Sequence, residues 1–338
     1  MKSRLHTLLL VALMLFVGCS RPAEYRTVEG VMLGTTLRLV AQTPLPASEL
    51  YDRAMVVDLQ MKSSMSIFDE RSLLSRLNRS ETDSVDGHIV YNLRLAQEIS
   101  ALSGGAYDVT VGPLVKAWGF AGRRGEAEPN LDSLLQFVGS DKVALREEEG
   151  RVTLWKADPR VELDFNSIAK GYTVDLVAEE LLSRGVENFL VDIGGEIRCR
   201  GVNPKGMPWR IGIERPVDGA PLGESYEMRI ALSRGALATS GNYRRYFIDP
   251  AGRKIAHTID PRTGESVLSR LLSATVVAEE CARADAMATM FMALGADKAL
   301  ELLELHPEWP VVLILAPEQE GDPLITHLSP AMEQLVME

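Results

Sequence analysis

Residues 163–172 read Leu-Asp-Phe-Asn-Ser-Ile-Ala-Lys-Gly-Tyr, a run that joins a predicted strand to a predicted helix. The apolar pattern predicts a strand that ends at Asp164 and a helix over 168–184. The first turn of a helix offers unpaired N–H groups and a positive dipole end, which favour an anion, and Lys170 adds a positive charge there. The run is therefore typical of an anion site, although Asp164 or Asn166 could equally serve only to cap the helix.

A second polar pair lies on a helix predicted over 284–294. Asp285 and Thr289 are four residues apart, so they lie on the same face of that helix. A carboxylate and a hydroxyl one turn apart are hard oxygen ligands, which suit Mg²⁺ or Ca²⁺ rather than zinc. The alternative is structural: Asp285 would favour the helix dipole, and the Thr289 hydroxyl would bond back to the helix.

Two further runs combine polar side chains with turn residues. His257 ends a predicted hairpin over 245–257, where it could act as a general base or simply be a surface histidine. Residues 104–108 read Gly-Gly-Ala-Tyr-Asp. The double glycine lets the backbone approach a ligand on which Tyr107 could stack, or else it ends a helix and begins a turn.

The rest of the chain mixes helix and strand patterns, with no linker, repeat or low-complexity tract. We therefore expect one continuous α/β fold, of mixed α+β character, with mixed sheets and packed helices. Helices are predicted over 47–64, 88–102, 131–138, 168–184 and 284–294. Strands or hairpins are predicted over 29–40, 142–154, 161–164, 189–193, 209–214, 227–232, 245–257, 271–277 and 311–316.

The composition excludes several classes of protein. The 338 residues are 46% hydrophobic and 25% charged, as in ordinary globular proteins, and the net charge of −11 argues against nucleic-acid binding. The pairs Arg123–Arg124 and Arg244–Arg245 are interpreted as solvated loop charges. No zinc-ligand spacing, GxGxxG run, P-loop or GxSxG elbow is present.

The N-terminus is typical of an export signal. Residues 1–18 have a basic start followed by a short apolar run, and the Gly18-Cys19 pair that follows resembles a bacterial lipobox. This predicts a lipoprotein signal over 1–18, a lipid-anchored Cys19, a tether over 19–28 and a domain over 29–338 outside the cytoplasm; a plain secretory signal is the alternative. Cys199 and Cys281 remain, with no spacing that indicates a disulfide framework.

Taken together and in this order, the polar runs resemble the signature of the ApbE family. Its members are FAD:protein FMN transferases, and many are membrane-anchored lipoproteins. Nearly the whole mature chain takes part in the resemblance. Supporting runs are Gly34-Thr35, Trp118-Gly119-Phe120, Val191-Asp192-Ile193-Gly194-Gly195 and Ala238-Thr239-Ser240-Gly241-Asn242-Tyr243-Arg244.

The resemblance implies a role for each matching residue. His257 matches the proposed general base, Asp285 and Thr289 match side-chain metal ligands, and Ser167 matches a metal position that a backbone carbonyl can serve. The implied FAD contacts are Leu33, Phe68, Ala106, Tyr107, Asp108, Asp164, Lys170 and Ile259. Leu33 stands where many members have Met, and Phe68 stands at a common aromatic position.

The implied reaction uses FAD as substrate and Mg²⁺, or Ca²⁺, as cofactor. A Thr or Ser hydroxyl of an acceptor flavoprotein would attack the phosphorus on the FMN side of FAD, and AMP would leave. The acceptor would be a subunit of a membrane redox pump or an extracytoplasmic flavoprotein. Two alternatives stay open: a metal-dependent FAD pyrophosphatase, which would use the same residues, and a non-enzymatic, exported FAD-binding lipoprotein.

Overall fold

The computed structural model describes residues 23–121, 129–217, 223, 225–243, 246–249, 252–319 and 321–337. The expectations for the signal over 1–18, for Cys19, for Arg123–Arg124 and for Arg244–Arg245 lie outside these residues. Within them, no helix has the length and apolar character needed to cross a bilayer.

An eight-stranded antiparallel sheet forms the centre of the fold, in the order β1-β2-β5-β6-β9-β12-β13-β14. Three two-stranded antiparallel sheets pair β3 with β4, β7 with β8, and β10 with β11. In chain order the strands are β1 (Glu24–Met32), β2 (Thr35–Thr43), β3 (Val143–Glu148), β4 (Arg151–Lys156), β5 (Phe189–Ile193), β6 (Glu196–Arg200), β7 (Trp209–Glu214), β8 (Tyr226–Leu232), β9 (Arg234–Gly241), β10 (Tyr246–Ile248), β11 (Lys254–Ala256), β12 (Leu271–Ala278), β13 (Val311–Leu315) and β14 (Ile325–Leu328).

Most of the helices pack on one face of the main sheet, whereas the β7–β8 hairpin and the last short helix pack on the other. The α-helices are α1 (Ala47–Met65), α2 (Leu73–Asn78), α3 (Gly87–Leu102), α4 (Gly112–Ala117), α5 (Leu131–Leu135), α6 (Ala169–Leu182), α7 (Cys281–Leu294), α8 (Ala296–Leu305) and α9 (Pro330–Glu333). Strand alternation divides the sheet between two cores, so that Val191 faces the helices while its neighbour Leu190 faces the hairpin. The mixed α+β class expected from the sequence is confirmed.

The strand predicted over 161–164 is wrong. Its pairing among the described residues is limited to an isolated parallel bridge between Glu162 and Val111 and a 2.7 Å hydrogen bond from the Asp164 N–H to the Val109 carbonyl. Both backbone groups of Leu163 are instead paired with the side-chain amide of Asn78, at 2.8 and 2.9 Å. A side chain that satisfies the backbone in this way removes the need for a neighbouring strand.

Other boundaries also differ from the sequence predictions. β1 begins at Glu24 and pairs with β2 along its whole length, so residues 24–28 of the expected tether are part of the sheet. The elements α2, α4, α8, α9, β6, β9 and β14 have no counterpart among the sequence predictions. Cys199 and Cys281 are both buried free thiols, and burial raises the pKa of the Cys199 thiol to about 12.

A small third core lies beside the two main ones. Leu114, Trp118, Val138, Ile255 and Ile259 bury their side chains against one another. The Trp118 indole also donates a 2.8 Å hydrogen bond to the carbonyl oxygen of Gly264. This satellite core joins α4 to the β10–β11 hairpin and to the turn that follows it.

Candidate active site

One cavity of about 360 Å³ lies between the N-terminus of α6, helix α7 and the segment after β11. It is lined by every predicted site residue of the described chain except Leu33 and Phe68. Those lining residues are Ala106, Tyr107, Asp108, Asp164, Ser167, Lys170, His257, Ile259, Asp285 and Thr289. The fold therefore brings together side chains that are up to 183 residues apart, from Ala106 to Thr289.

The N-terminus of α6 forms one wall of the cavity. Asp164 is buried, and its Oδ1 accepts a 2.8 Å hydrogen bond from the N–H of Asn166, which fixes the turn into the helix. The Ser167 hydroxyl donates to the phenol oxygen of Tyr107 at 2.9 Å. Burial raises the pKa of Tyr107 far above its ordinary value, so its phenol is neutral near pH 7.

Helix α7 supplies the opposite wall and touches α6 directly. The N–H of Gly171 donates to Asp285 Oδ2 at 3.0 Å. A Cβ at position 171 would lie 2.7 Å from the carbonyl carbon of Cys281 and 2.8 Å from the Cβ of Asp285, so only glycine fits this contact. One turn farther along α7, the Thr289 hydroxyl lies 3.0 Å from that of Ser240 on β9.

An ion pair between a partly exposed lysine and a buried glutamate also lines the cavity. Lys170 Nζ is 2.6 Å from Glu196 Oε2, and the Glu196 side chain is only 3% exposed. Burial raises the pKa of Glu196 and of Asp285, while the Lys170 ammonium opposes both shifts. Those two carboxylates in turn raise the pKa of Lys170, which keeps it charged although burial opposes this.

Sequence reasoning missed Glu196. The available signal was a charged residue that directly follows the Gly194–Gly195 pair and opens a segment in which charged and apolar residues alternate. Its partner Lys170 lies on α6, however, and the contact becomes visible only once β6 is placed beside that helix.

His257 lies on the rim of the cavity, directly after β11. The Phe120 ring meets the imidazole edge to face at a centroid distance of 6.3 Å. The next residue, Thr258, donates its hydroxyl proton to Asn242 Oδ1 at 2.7 Å. Ile259 belongs to the satellite core, so the backbone on the C-terminal side of His257 is anchored within two residues.

The comparisons with known proteins agree with this geometry. Residues 33–313 match the family model described as the ApbE family. The chain belongs to the ApbE family. A Vibrio cholerae protein named FAD:protein FMN transferase is 37% identical over 320 residues, which cover 90% of this chain and 92% of that protein.

Two further relatives support the assignment. A Haemophilus influenzae FAD:protein FMN transferase is 35% identical and covers 90% of this chain and 91% of its own length. The solved structure of the flavin transferase ApbE from Vibrio cholerae has a TM-score of 0.80 at 33% identity, covering 93% of this chain and 100% of that one. The family assignment made from the sequence is confirmed.

Two positions inferred from the ApbE resemblance lie away from the cavity lining. Leu33 occupies the tight turn between β1 and β2 with a φ of 51°, and its N–H donates to Asp58 Oδ1 on α1 at 2.9 Å. Phe68 follows α1, and 67% of its surface is exposed. Their roles as FAD contacts stay predictions.

The donor atoms of the cavity fit a magnesium ion. The described residues contain no group of three His, Cys, Asp or Glu side chains arranged to hold a metal. Mg²⁺ needs no such group, because it is commonly held by one or two carboxylates together with hydroxyls, water and substrate phosphates. Asp285 supplies a carboxylate, Thr289 a hydroxyl and Ser167 a backbone carbonyl, and all three residues line the same cavity.

The Lys170–Glu196 pair should contribute measurably to stability. We expect Lys170→Met to lower the free energy of unfolding by about 2 kcal/mol, because it leaves the Glu196 carboxylate buried without its ammonium partner. This is below the cost for a fully buried pair, because the Lys170 side chain is 34% exposed and Glu196 can take up a proton. Urea denaturation without ligand measures the change.

Two further variants complete this test. Lys116→Met removes a lysine from an exposed pair with Glu162 and should cost less than about 0.5 kcal/mol. Adding Glu196→Gln to Lys170→Met should recover stability, because the buried charge is then absent. A Lys170→Met variant as stable as Lys116→Met would contradict the assignment of a stabilising buried pair.

Proposed function

We propose that this chain is an Mg²⁺-dependent FAD:protein FMN transferase, which moves FMN from FAD to a Thr or Ser hydroxyl of an acceptor flavoprotein. The observation that carries the proposal is the content of one cavity. A magnesium-type donor set, a lysine and a histidine line it together. The names of the relatives supply the substrate and the type of transfer.

The proposed reaction exchanges one phosphoester partner for another. The acceptor oxygen forms a bond to the phosphorus on the FMN side of FAD, and the bond between that phosphorus and the bridging oxygen breaks. AMP leaves with the bridging oxygen, and the hydroxyl proton passes to His257. A hydroxyl is a weak nucleophile near neutral pH, so a base at this position lowers the barrier.

The walls of the cavity supply the electrostatic part of catalysis. Lys170 and the N–H groups at the start of α6 attract the pyrophosphate. Asp285, Thr289 and Ser167 would hold Mg²⁺, which when bound neutralises charge on the phosphoryl oxygens. A cation is needed here, because Asp164, Glu196 and Asp285 line the same cavity and would repel a pyrophosphate.

One assay tests the proposal. The purified chain is incubated with FAD and Mg²⁺, with and without a peptide that carries Asp-x-x-Ser/Thr-Gly-Ala-Thr, and FMN, AMP and peptide mass are followed. We expect the peptide to gain the mass of an FMN group while AMP appears in equal amount. AMP and free FMN with unmodified peptide would indicate a pyrophosphatase, and bound FAD without AMP would indicate a flavin-binding protein.

The metal assignment predicts the behaviour of Asp285→Asn. The amide keeps an oxygen that can accept the Gly171 hydrogen bond but loses the charge that would hold Mg²⁺. We expect the Mg²⁺-dependent rate of AMP release to fall about 100-fold or more. Asp297→Asn, which alters an exposed acid in the first turn of α8, is the control. An Asp285→Asn enzyme with the wild-type response to Mg²⁺ would rule out this ligand.

The base assignment predicts the behaviour of His257→Asn. We expect kcat to fall about 100-fold to 10,000-fold, the usual contribution of a general base, while the Kd for FAD changes little. His327→Asn, an exposed histidine on β14, is the matched control and should leave kcat unchanged. Transfer at the wild-type rate by His257→Asn would exclude the base role.

We also propose that Cys19 carries a lipid that holds the domain on the periplasmic face of a bacterial membrane, near its acceptor. The sequence of the export signal and the Gly18-Cys19 pair support this. Cys19→Ser should move the protein from the membrane pellet to the soluble extracytoplasmic fraction after centrifugation. If the variant still pellets with membranes, the lipid anchor is wrong.

A further inference from the structure

Asp175 is a buried acid of helix α6 that lies outside the cavity lining. It is 5% exposed, and its two carboxylate oxygens accept hydrogen bonds from successive N–H groups at the start of α7. Oδ1 accepts from Cys281 at 2.9 Å, and Oδ2 accepts from Ala282 at 2.8 Å. The first N–H groups of a helix have no partner within the helix, so a carboxylate placed there caps it.

Helix α7 depends on this cap from another element. Its own N-cap residue, Glu280, makes no side-chain capping hydrogen bond. Asp285 lies one turn beyond Cys281, and Thr289 lies one turn beyond Asp285. A shift or rotation at the start of α7 would therefore move both of these side chains relative to Ser167 and Lys170.

Strand β6 holds Asp175 in place. Arg198 Nη1 donates to Asp175 Oδ1 at 3.0 Å, and its Nη2 donates to Glu179 Oε1 at 2.8 Å. Glu196, two residues earlier on the same face of β6, contacts Lys170. One strand face thus fixes α6 at two places: Lys170, which lines the cavity, and Asp175, which caps α7.

We infer that Asp175 is a positioning residue, which holds the start of α7 so that Asp285 and Thr289 can bind the metal. This inference rests on the proposed metal role of those two side chains. Partners that orient metal ligands typically change metal affinity about 10-fold to 100-fold when they are altered. The expected effect of losing Asp175 is therefore on Mg²⁺ affinity, whereas the chemical step at saturating Mg²⁺ should be nearly preserved.

Asp175→Asn tests the inference. An amide has one accepting oxygen, so its NH₂ group would face an N–H group of α7, and one cap bond would be lost. We expect the Mg²⁺ concentration for half-maximal AMP release to rise about 10-fold or more, with kcat at saturating Mg²⁺ within about threefold. Binding of Mn²⁺ in the presence of FAD, followed by the electron paramagnetic resonance signal of free Mn²⁺, should weaken in parallel.

Glu179→Gln is the matched control. This substitution makes the same carboxylate-to-amide change on α6, and Glu179 also contacts Arg198. The Glu179 side chain is 58% exposed, however, and among the described residues its hydrogen bonds and ion pairs do not reach α7. Its half-saturating Mg²⁺ concentration should equal that of the wild type. A melting temperature lowered by Asp175→Asn without any change in metal affinity would show a purely structural role and would overturn the inference.

A second variant tests the inference independently, should Asp175→Asn fold poorly. Arg198→Gln leaves both oxygens of Asp175 available to α7 but removes the guanidinium that orients them, so the half-saturating Mg²⁺ concentration should rise several-fold. An unchanged value in either folded variant contradicts the inference while leaving the transferase proposal intact. A wild-type enzyme that transfers FMN without any response to divalent cations would instead remove the metal proposal, and this inference with it.

Discussion

The contact between α6 and α7 at Gly171 is the constraint on which the rest of the site depends. The helices approach so closely that a methyl group at position 171 would collide with the backbone of Cys281. This closeness permits two crossed hydrogen-bond sets: Asp285 accepts from the first turn of α6, and Asp175 accepts from the first turn of α7. Each helix therefore caps the other, and the cavity opens between the N-terminus of α6 and the later turns of α7 that carry Asp285 and Thr289.

Burying charged side chains around the cavity lowers the stability of the fold. Burial raises the pKa of Glu196 and Asp285 in the cavity and of Asp175 outside it, because an ionised carboxylate is costly where water is excluded. Lys170 offsets part of this cost for the first two, and Arg198 does so for Asp175. Carboxylates grouped around one lysine suit a bound cation, and the proposed Mg²⁺ would offset their repulsion of a pyrophosphate.

The local sequence pattern predicted those elements that depend on interactions between residues close together in the chain. The helices over 168–184 and 284–294 follow from apolar periodicity, and α6 and α7 occupy nearly those residues. The strand over 161–164 failed because Asn78, 85 residues away, binds the backbone of Leu163. Spacing alone left Asp285, Thr289 and His257 undecided between structural and functional roles. The family resemblance assigned these three residues to one site. It did not identify Glu196 or Asp175, because the partners of these two acids come close only when the helices and strands pack.

The proposed base and the proposed metal ligands are held by different parts of the core. Asp285 and Thr289 lie on α7, whose buried face belongs to the main core with Phe291 and Met287. His257 depends instead on the satellite core, through Ile255 two residues before it and Ile259 two residues after it. Among the described residues the two cores share no buried side chain, so we expect packing changes in the satellite core to affect the proposed proton transfer more than the proposed metal binding. The two sides of the cavity are thus held by separate cores. The proposed catalysis requires His257 on one side and Asp285 and Thr289 on the other to be correctly positioned relative to each other.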